Sequence, residues 1–135
     1  MRYALLIVDP ESASPASEPP SPEIAAQVTA EYNAYTRMLR DRGAFLGGEA
    51  LQPNPTATTV RVQDGRTVTT DGPFIEAKEA LGGFYLVQAR DLDEAIALAA
   101  ACPGAKYGAI EIRPIWEYAD DAEATPVGEE SHQPA

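Results

Sequence analysis

The stretch TTDGPFIEAKEALGGFYLV, Thr69 to Val87, joins two strand-like segments through a connection crowded with acids and glycines. Its β-branched run stops at Asp71-Gly72-Pro73-Phe74, because Pro73 fixes its own φ and pushes Gly72 towards an extended backbone. A charged loop, Glu76-Ala77-Lys78-Glu79, follows, and Gly82-Gly83 leads into an aromatic strand over Gly83–Gln88. Immediately upstream, Thr58–Val62 and Arg66–Thr70 flank Asp64-Gly65, the dipeptide of a tight hairpin turn. The stretch is thus the exit of a hairpin and the entry to a core strand.

Working outwards, Arg2–Val8 is a short apolar run that reads as a buried strand. Ser21-Pro22-Glu23 starts a helix: Ser21 caps, Pro22 suits the first helical position, and Glu23 meets the positive end of the dipole. Ile24, Val28, Tyr32, Tyr35, Met38 and Leu39 then recur at helical spacing and predict one buried stripe. Gly43 ends this helix after Arg40-Asp41-Arg42. Ala44–Leu51 is a second strand whose Gly47-Gly48 implies a bulge or a close backbone approach. Asp91 caps a second helix with Asp93 and Glu94 in its first turn and an apolar face of Leu92, Ala95, Ile96 and Ala99. Cys102-Pro103-Gly104 closes it, and Ala109–Tyr118 is a last strand.

Strand, helix, strand, hairpin, strand, helix, strand is a split β-α-β order with a hairpin inserted in its middle. Both helices then cover one face of an antiparallel sheet in an α+β fold. The other face is left bare, and a second copy of the same sheet is the simplest cover, which predicts a homodimer. A single domain over residues 1–118 is expected. Within it the proline- and serine-rich segment 9–21 reads as a mobile loop, and residues 119–135 read as an acidic disordered tail.

Of 135 residues, 21 are Asp or Glu and 10 are Lys or Arg, a net charge of −11. Asp120, Asp121, Glu123, Glu129 and Glu130 lie in the tail without a base among them. No basic cluster exists to meet phosphates, so direct nucleic-acid binding and an anionic membrane surface are excluded as partners. No apolar run reaches the roughly 18 residues of a membrane span. The N-terminal apolar segment is short and lacks a cleavage site, so a cytoplasmic protein is expected. The single cysteine, Cys102, forms no internal disulfide, and it reads as a small packing residue at a helix end. No His/Cys cluster has metal-ligand spacing, so neither a metal nor another cofactor is expected.

Three groups of residues in order are similar to a known family. They are Thr70-Asp71-Gly72-Pro73-Phe74, Glu76-Ala77-Lys78-Glu79-Ala80-Leu81-Gly82-Gly83-Phe84-Tyr85 and Asp91-Leu92-Asp93-Glu94-Ala95. Supporting segments are Gly47–Pro53, Thr58–Val62, Ala101-Cys102-Pro103 and Gly108–Pro114. Together they resemble the DGPF-domain branch of the YCII-related family. The resemblance implies a ferredoxin-like fold assembled as a dimeric α+β barrel, in a superfamily that includes cofactor-free lyases and isomerases. It also implies, by association, an extracytoplasmic-function sigma factor as a partner. Some relatives carry a His–Asp pair proposed as catalytic. The only histidine here is His132, in the tail, so any acid–base chemistry falls to carboxylates, lysine, tyrosine or water.

Asp71 has two readings, a cap of its own turn or a general base facing the dimer cleft. Glu49 follows two glycines on a strand expected to be half-buried, where a carboxylate needs a partner such as Arg61 or Arg113, or becomes an acid–base group. Asp71 and Glu49 are therefore the candidate proton-transfer residues. Lys78 and Arg61 are candidates for holding negative charge on a ligand, and Tyr85 for offering it a hydroxyl. Trp116 reads as interface packing. A small organic ligand handled by lyase- or isomerase-type chemistry is the first functional reading. A non-enzymatic regulatory module for a sigma factor is the second.

Overall fold

Short-range signals set the element ends. The computed structural model describes residues 1–10, 21–74 and 79–118, and the backbone of 126–127. Strand β1 is Arg2–Pro10, helix α1 Pro22–Asp41, β2 Phe45–Ala50, β3 Thr58–Gln63 and β4 Arg66–Asp71. Strand β5 is Glu79–Gln88, α2 Leu92–Ala101, the short α3 Gly104–Tyr107 and β6 Ala109–Pro114. Ser21 Oγ accepts from the Ile24 N–H at 3.2 Å, and Asp91 Oδ1 accepts from the Glu94 N–H at 2.9 Å. Gly43 ends α1 with φ +70°, and Asp64 and Gly65 take φ 51° and 74° in the hairpin turn. Positive φ at both central residues matches the twist of the flanking strands, so the turn locks the register Gln63↔Arg66 to Thr58↔Asp71.

Antiparallel pairing orders the main sheet β2-β5-β1-β6, the ferredoxin-like arrangement of a split β-α-β fold. Alternation divides β1. Tyr3, Leu5 and Ile7 are buried towards the helices, with Tyr85 and Val87 beside them. Tyr35 and Leu39 of α1, and Ala95, Leu98, Ala99 and Cys102 of and after α2, close the same core. Ala4, Leu6, Val8, Phe84 and Leu86 face the other way and stay half-buried, with no helix over them among the described residues. The β3–β4 hairpin forms its own two-stranded sheet, and Val60, Val62 and Phe74 on it or just after it are 60%, 71% and 68% exposed.

Several expectations need correcting. The apolar face of α2 is Ala95, Leu98 and Ala99, while Leu92 and Ile96 are about half exposed. Alanines let the helix approach the sheet closely, so the larger side chains lie outside that contact. Ile24, at the head of the expected α1 stripe, is exposed, and the buried part of the helix is confined to Tyr35 and Leu39 in its second half. The last strand stops at Pro114, and Glu117–Tyr118 pairs separately with Pro126–Val127. Strand β1 runs on through Asp9 and Pro10, which pair with Ala80 and Glu79. Residues 11–20 and the rest of the tail lie outside the described residues. No helix among the described residues is long and apolar enough to cross a membrane.

Candidate functional site

Helix α1 does not lie flat on the sheet along its whole length. Below its middle, between α1 and the strands β1, β5 and β2, opens a cavity of about 410 Å³. Tyr32, Thr36 and Arg40 come from α1 at successive i, i+4 steps, so they share one face and form the roof. The wall and floor come from Ile7 and Asp9, from Phe45, Gly48, Glu49 and Ala50 of β2, and from Gly82, Phe84 and Tyr85 of β5.

Asp9 is the group that the sequence reading passed over. It continues the alternation of Tyr3, Leu5 and Ile7, so the strand aims it at the helix side. Burial raises its carboxyl above the ordinary value of 3.8. Its side chain makes no hydrogen bond or ion pair among the described residues. Gly82 explains how it fits. This residue is the extra one of a bulge, since Ile7 pairs with Gly83 and Val8 with Leu81. A methyl group on Gly82 would sit on the Asp9 Oδ2 oxygen. The double glycine therefore has two jobs, Gly82 making room for the carboxylate and Gly83 letting β2 approach β5. A strand-end acid in register with buried apolar residues was the available signal. Pro10 and the proline run behind it disguised that signal as loop.

Tyr85 lies in the same cavity. Its hydroxyl is 2.9 Å from Thr36 Oγ1, and its ring meets Tyr35 edge-on at 5.1 Å between centroids. Burial raises its hydroxyl, and burial followed by the nearby Cys102 and Asp9 charges raises that of Tyr32. Both phenols are therefore neutral at physiological pH and serve as hydrogen-bond donors or acceptors, not as bases. Arg40 spreads over the Phe45 ring, 4.5 Å from its centroid. Cys102 is 1% exposed, with its thiol raised by burial, and fills core behind Tyr32.

The other sequence candidates fall in different places. Glu49 borders the cavity on the edge strand, opposite Phe84, and is exposed, so its carboxylate needs no buried partner. Its suggested partners are engaged elsewhere, Arg113 with Glu111 and Arg61 over the Phe74 ring at 4.9 Å. Asp71 ends β4 opposite Thr58, exposed, and together with Arg61 it sits on the hairpin outside the lining of the cavity. The turn after it is held by main chain and a threonine: the Gly72 N–H donates to Ala57 O at 2.7 Å, and Thr59 Oγ1 donates to Gly72 O at 2.8 Å. Lys78 and Glu76 lie outside the described residues.

The model of the YCII-related domain matches residues 1–119 of this chain. The chain belongs to the YCII-related family. A relative, an uncharacterised protein of Rhizobium meliloti (strain 1021), is 36% identical over 120 residues, covering 87% of this chain and 94% of that protein. Among solved structures, 5-chloro-2-hydroxyhydroquinone dehydrochlorinase from Burkholderia phenoliruptrix AC1100, in complex with 2,5-dihydroxybenzoquinone, aligns with 88% of this chain and 96% of its own. That alignment has a TM-score of 0.46 and 17% identity. It is too distant a likeness to speak to function.

Proposed function

We propose that this YCII-related protein binds a compact organic molecule in the α1 cavity and moves a proton on it with Asp9. The observation that supports this is a desolvated carboxylate without hydrogen-bond partners among the described residues, set in a cavity beside two neutral phenols. A perturbed acid in a concave, partly aromatic cleft is the usual mark of a proton-transfer site. The ionised carboxylate takes a proton from a carbon or oxygen acid of the ligand. The electron pair left behind moves onto a neighbouring oxygen, where a tyrosine hydroxyl donates a hydrogen bond. Returning the proton to a different atom completes an isomerisation. Departure of a leaving group with the electron pair completes an elimination. Glu49 is a second carboxylate at the cavity's edge and suits exchange of the proton with water. Asp71 and Arg61 then suit a partner's cavity, since their hairpin lies outside the lining of their own chain's cavity, and Lys78 remains a candidate for holding negative charge on the ligand.

The half-bare sheet face of Ala4, Leu6, Val8, Phe84 and Leu86 supports the homodimer in the same proposal. Sedimentation equilibrium is expected to give twice the chain mass, and a monomeric mass removes it. The exposed Val60, Val62 and Phe74 on the hairpin favour a second reading, in which the chain is an interaction module and a protein such as a sigma factor docks there.

Carbon-13 NMR titration of the Asp9 carboxyl tests the proton-transfer reading. Its midpoint is expected above that of an ordinary aspartate. The folded state then holds this proton to higher pH than the unfolded chain does. Stability falls as pH rises from the unfolded value of 3.8 through the folded one, and the loss is complete above both. Asp9→Asn removes that loss, so the variant melts higher at neutral pH. The carboxyl is partly exposed and screened, which keeps the gain below about 1 kcal/mol, or a few degrees. The two proteins converge in acid. Gly82→Ala pushes the carboxylate off its seat, so its midpoint returns towards the ordinary range. An ordinary midpoint in the parent protein, with no stabilisation by Asn, leaves the site without its base.

A further inference from the structure

The described lining of the cavity also carries one cation, and it bears on what the ligand is. Among the described residues, Arg40 is the one Lys or Arg in the lining, and its guanidinium forms no ion pair or hydrogen bond with the others. Its one partner is the Phe45 ring. A guanidinium held over a ring face by its carbon keeps its N–H donors free for a ligand. A planar two-donor edge is matched best by the two oxygens of a carboxylate. Asp9 presents the opposite demand: ionised, it only accepts, so it needs a donor from the ligand. Tyr32, Phe45 and Tyr85 bring aromatic rings to the same lining, while Phe84, whose side chain faces the other side of the sheet, adds only its main chain, and the space suits one substituted ring.

Resting on the cavity reading above, we infer that the ligand is a planar monocyclic carboxylate carrying a hydroxyl, its carboxylate on Arg40 and its hydroxyl towards Asp9. Glu49 at the rim disfavours a second negative charge, so one anionic group is the preferred number. Tyr85, held by Thr36, marks the depth that the ring reaches.

The probes are 4-hydroxybenzoate, which carries both groups at opposite ends of one ring, and its neutral methyl ester. Each is titrated into the full chain at neutral pH and followed by amide NMR. The acid is expected to shift Tyr32, Thr36, Phe45 and Tyr85 saturably, and to bind about tenfold or more tighter than the ester, the scale of a hydrogen bond to a charged group. Arg40→Gln, on an exposed helical position, is expected to erase that preference while changing ester binding by no more than about twofold. Equal binding of acid and ester, or equal weakening of both by Arg40→Gln, overturns the anion assignment and leaves the cavity reading standing. Shifts confined to other parts of the chain, or no binding by either probe, overturn both.

Discussion

Valine at position 83 is expected to lower stability by about 2–3 kcal/mol and to dismantle the candidate site with the fold's edge. A β-carbon on Gly83 would stand 2.7 Å from the Glu49 carbonyl oxygen and 3.2 Å from the Ala50 α-carbon. Both are main chain of β2, so no side chain can rotate to relieve the clash. Two effects oppose each other. Replacing glycine within a strand gains up to about 1 kcal/mol in backbone entropy and strand propensity. Overpacking costs about 1–3 kcal/mol, and peeling β2 from β5 adds lost ladder hydrogen bonds at about 1 kcal/mol each. The loss wins. Gly47→Ala is the control, because nothing lies within 4 Å of its added carbon and its φ is not positive. It should move stability by no more than about 0.5 kcal/mol. Urea unfolding distinguishes the two, with a lower midpoint for valine and an unchanged slope for alanine. An unshifted midpoint for Gly83→Val would mean that β2 has slack, and the wall formed by Phe45, Gly48, Glu49 and Ala50 would not be fixed.

The same glycines show what a sequence discloses and what it hides. Turns and caps depend on a few adjacent residues, so Ser21, Gly43, Asp64-Gly65 and Asp91 were legible, and with them the order of the elements. Gly47-Gly48 announced a bulge or a close approach; the close approach is at Gly48, whose β-carbon would meet the Phe84 oxygen at 2.7 Å, while the register slips one residue earlier, at Leu46. The face of α2 was misjudged because size was taken for burial, whereas the tight contact belongs to Ala95 and Ala99. The cavity was the least legible feature. Asp9 and Gly82 are 73 residues apart and are joined only by strand pairing, and Arg40 enters the same lining from helix α1. Tyr85 and Glu49 came from reasoning about strands and do border the cavity. Asp71 stood out because it is polar on a connection, a local property that says nothing of which surface faces it.

Leu39→Ala is expected to cost about 3 kcal/mol, within the usual range of 2–5 for a buried leucine. Leu39 is wholly buried, and with Tyr35 it is what fastens α1 to the sheet. Tyr35 adds a directed hold, donating its hydroxyl to Leu98 O at 2.7 Å. The opposite end of the sequence stripe predicts the contrast: Ile24 is 55% exposed, so Ile24→Ala should fall within about 0.5 kcal/mol of the parent. Leu39→Met, close in volume, should recover most of the loss, to within about 1.5 kcal/mol. The consequence reaches the site because Tyr32, Thr36 and Arg40 ride on the same helix. A void under Leu39 loosens the roof, lengthens the Thr36–Tyr85 contact and lets Arg40 drift from Phe45. Amide exchange is then expected to quicken at Tyr32 to Arg40 more than in β1. Uniform quickening would show instead that the helix and the sheet open together, and that the cavity has no lid of its own to lose.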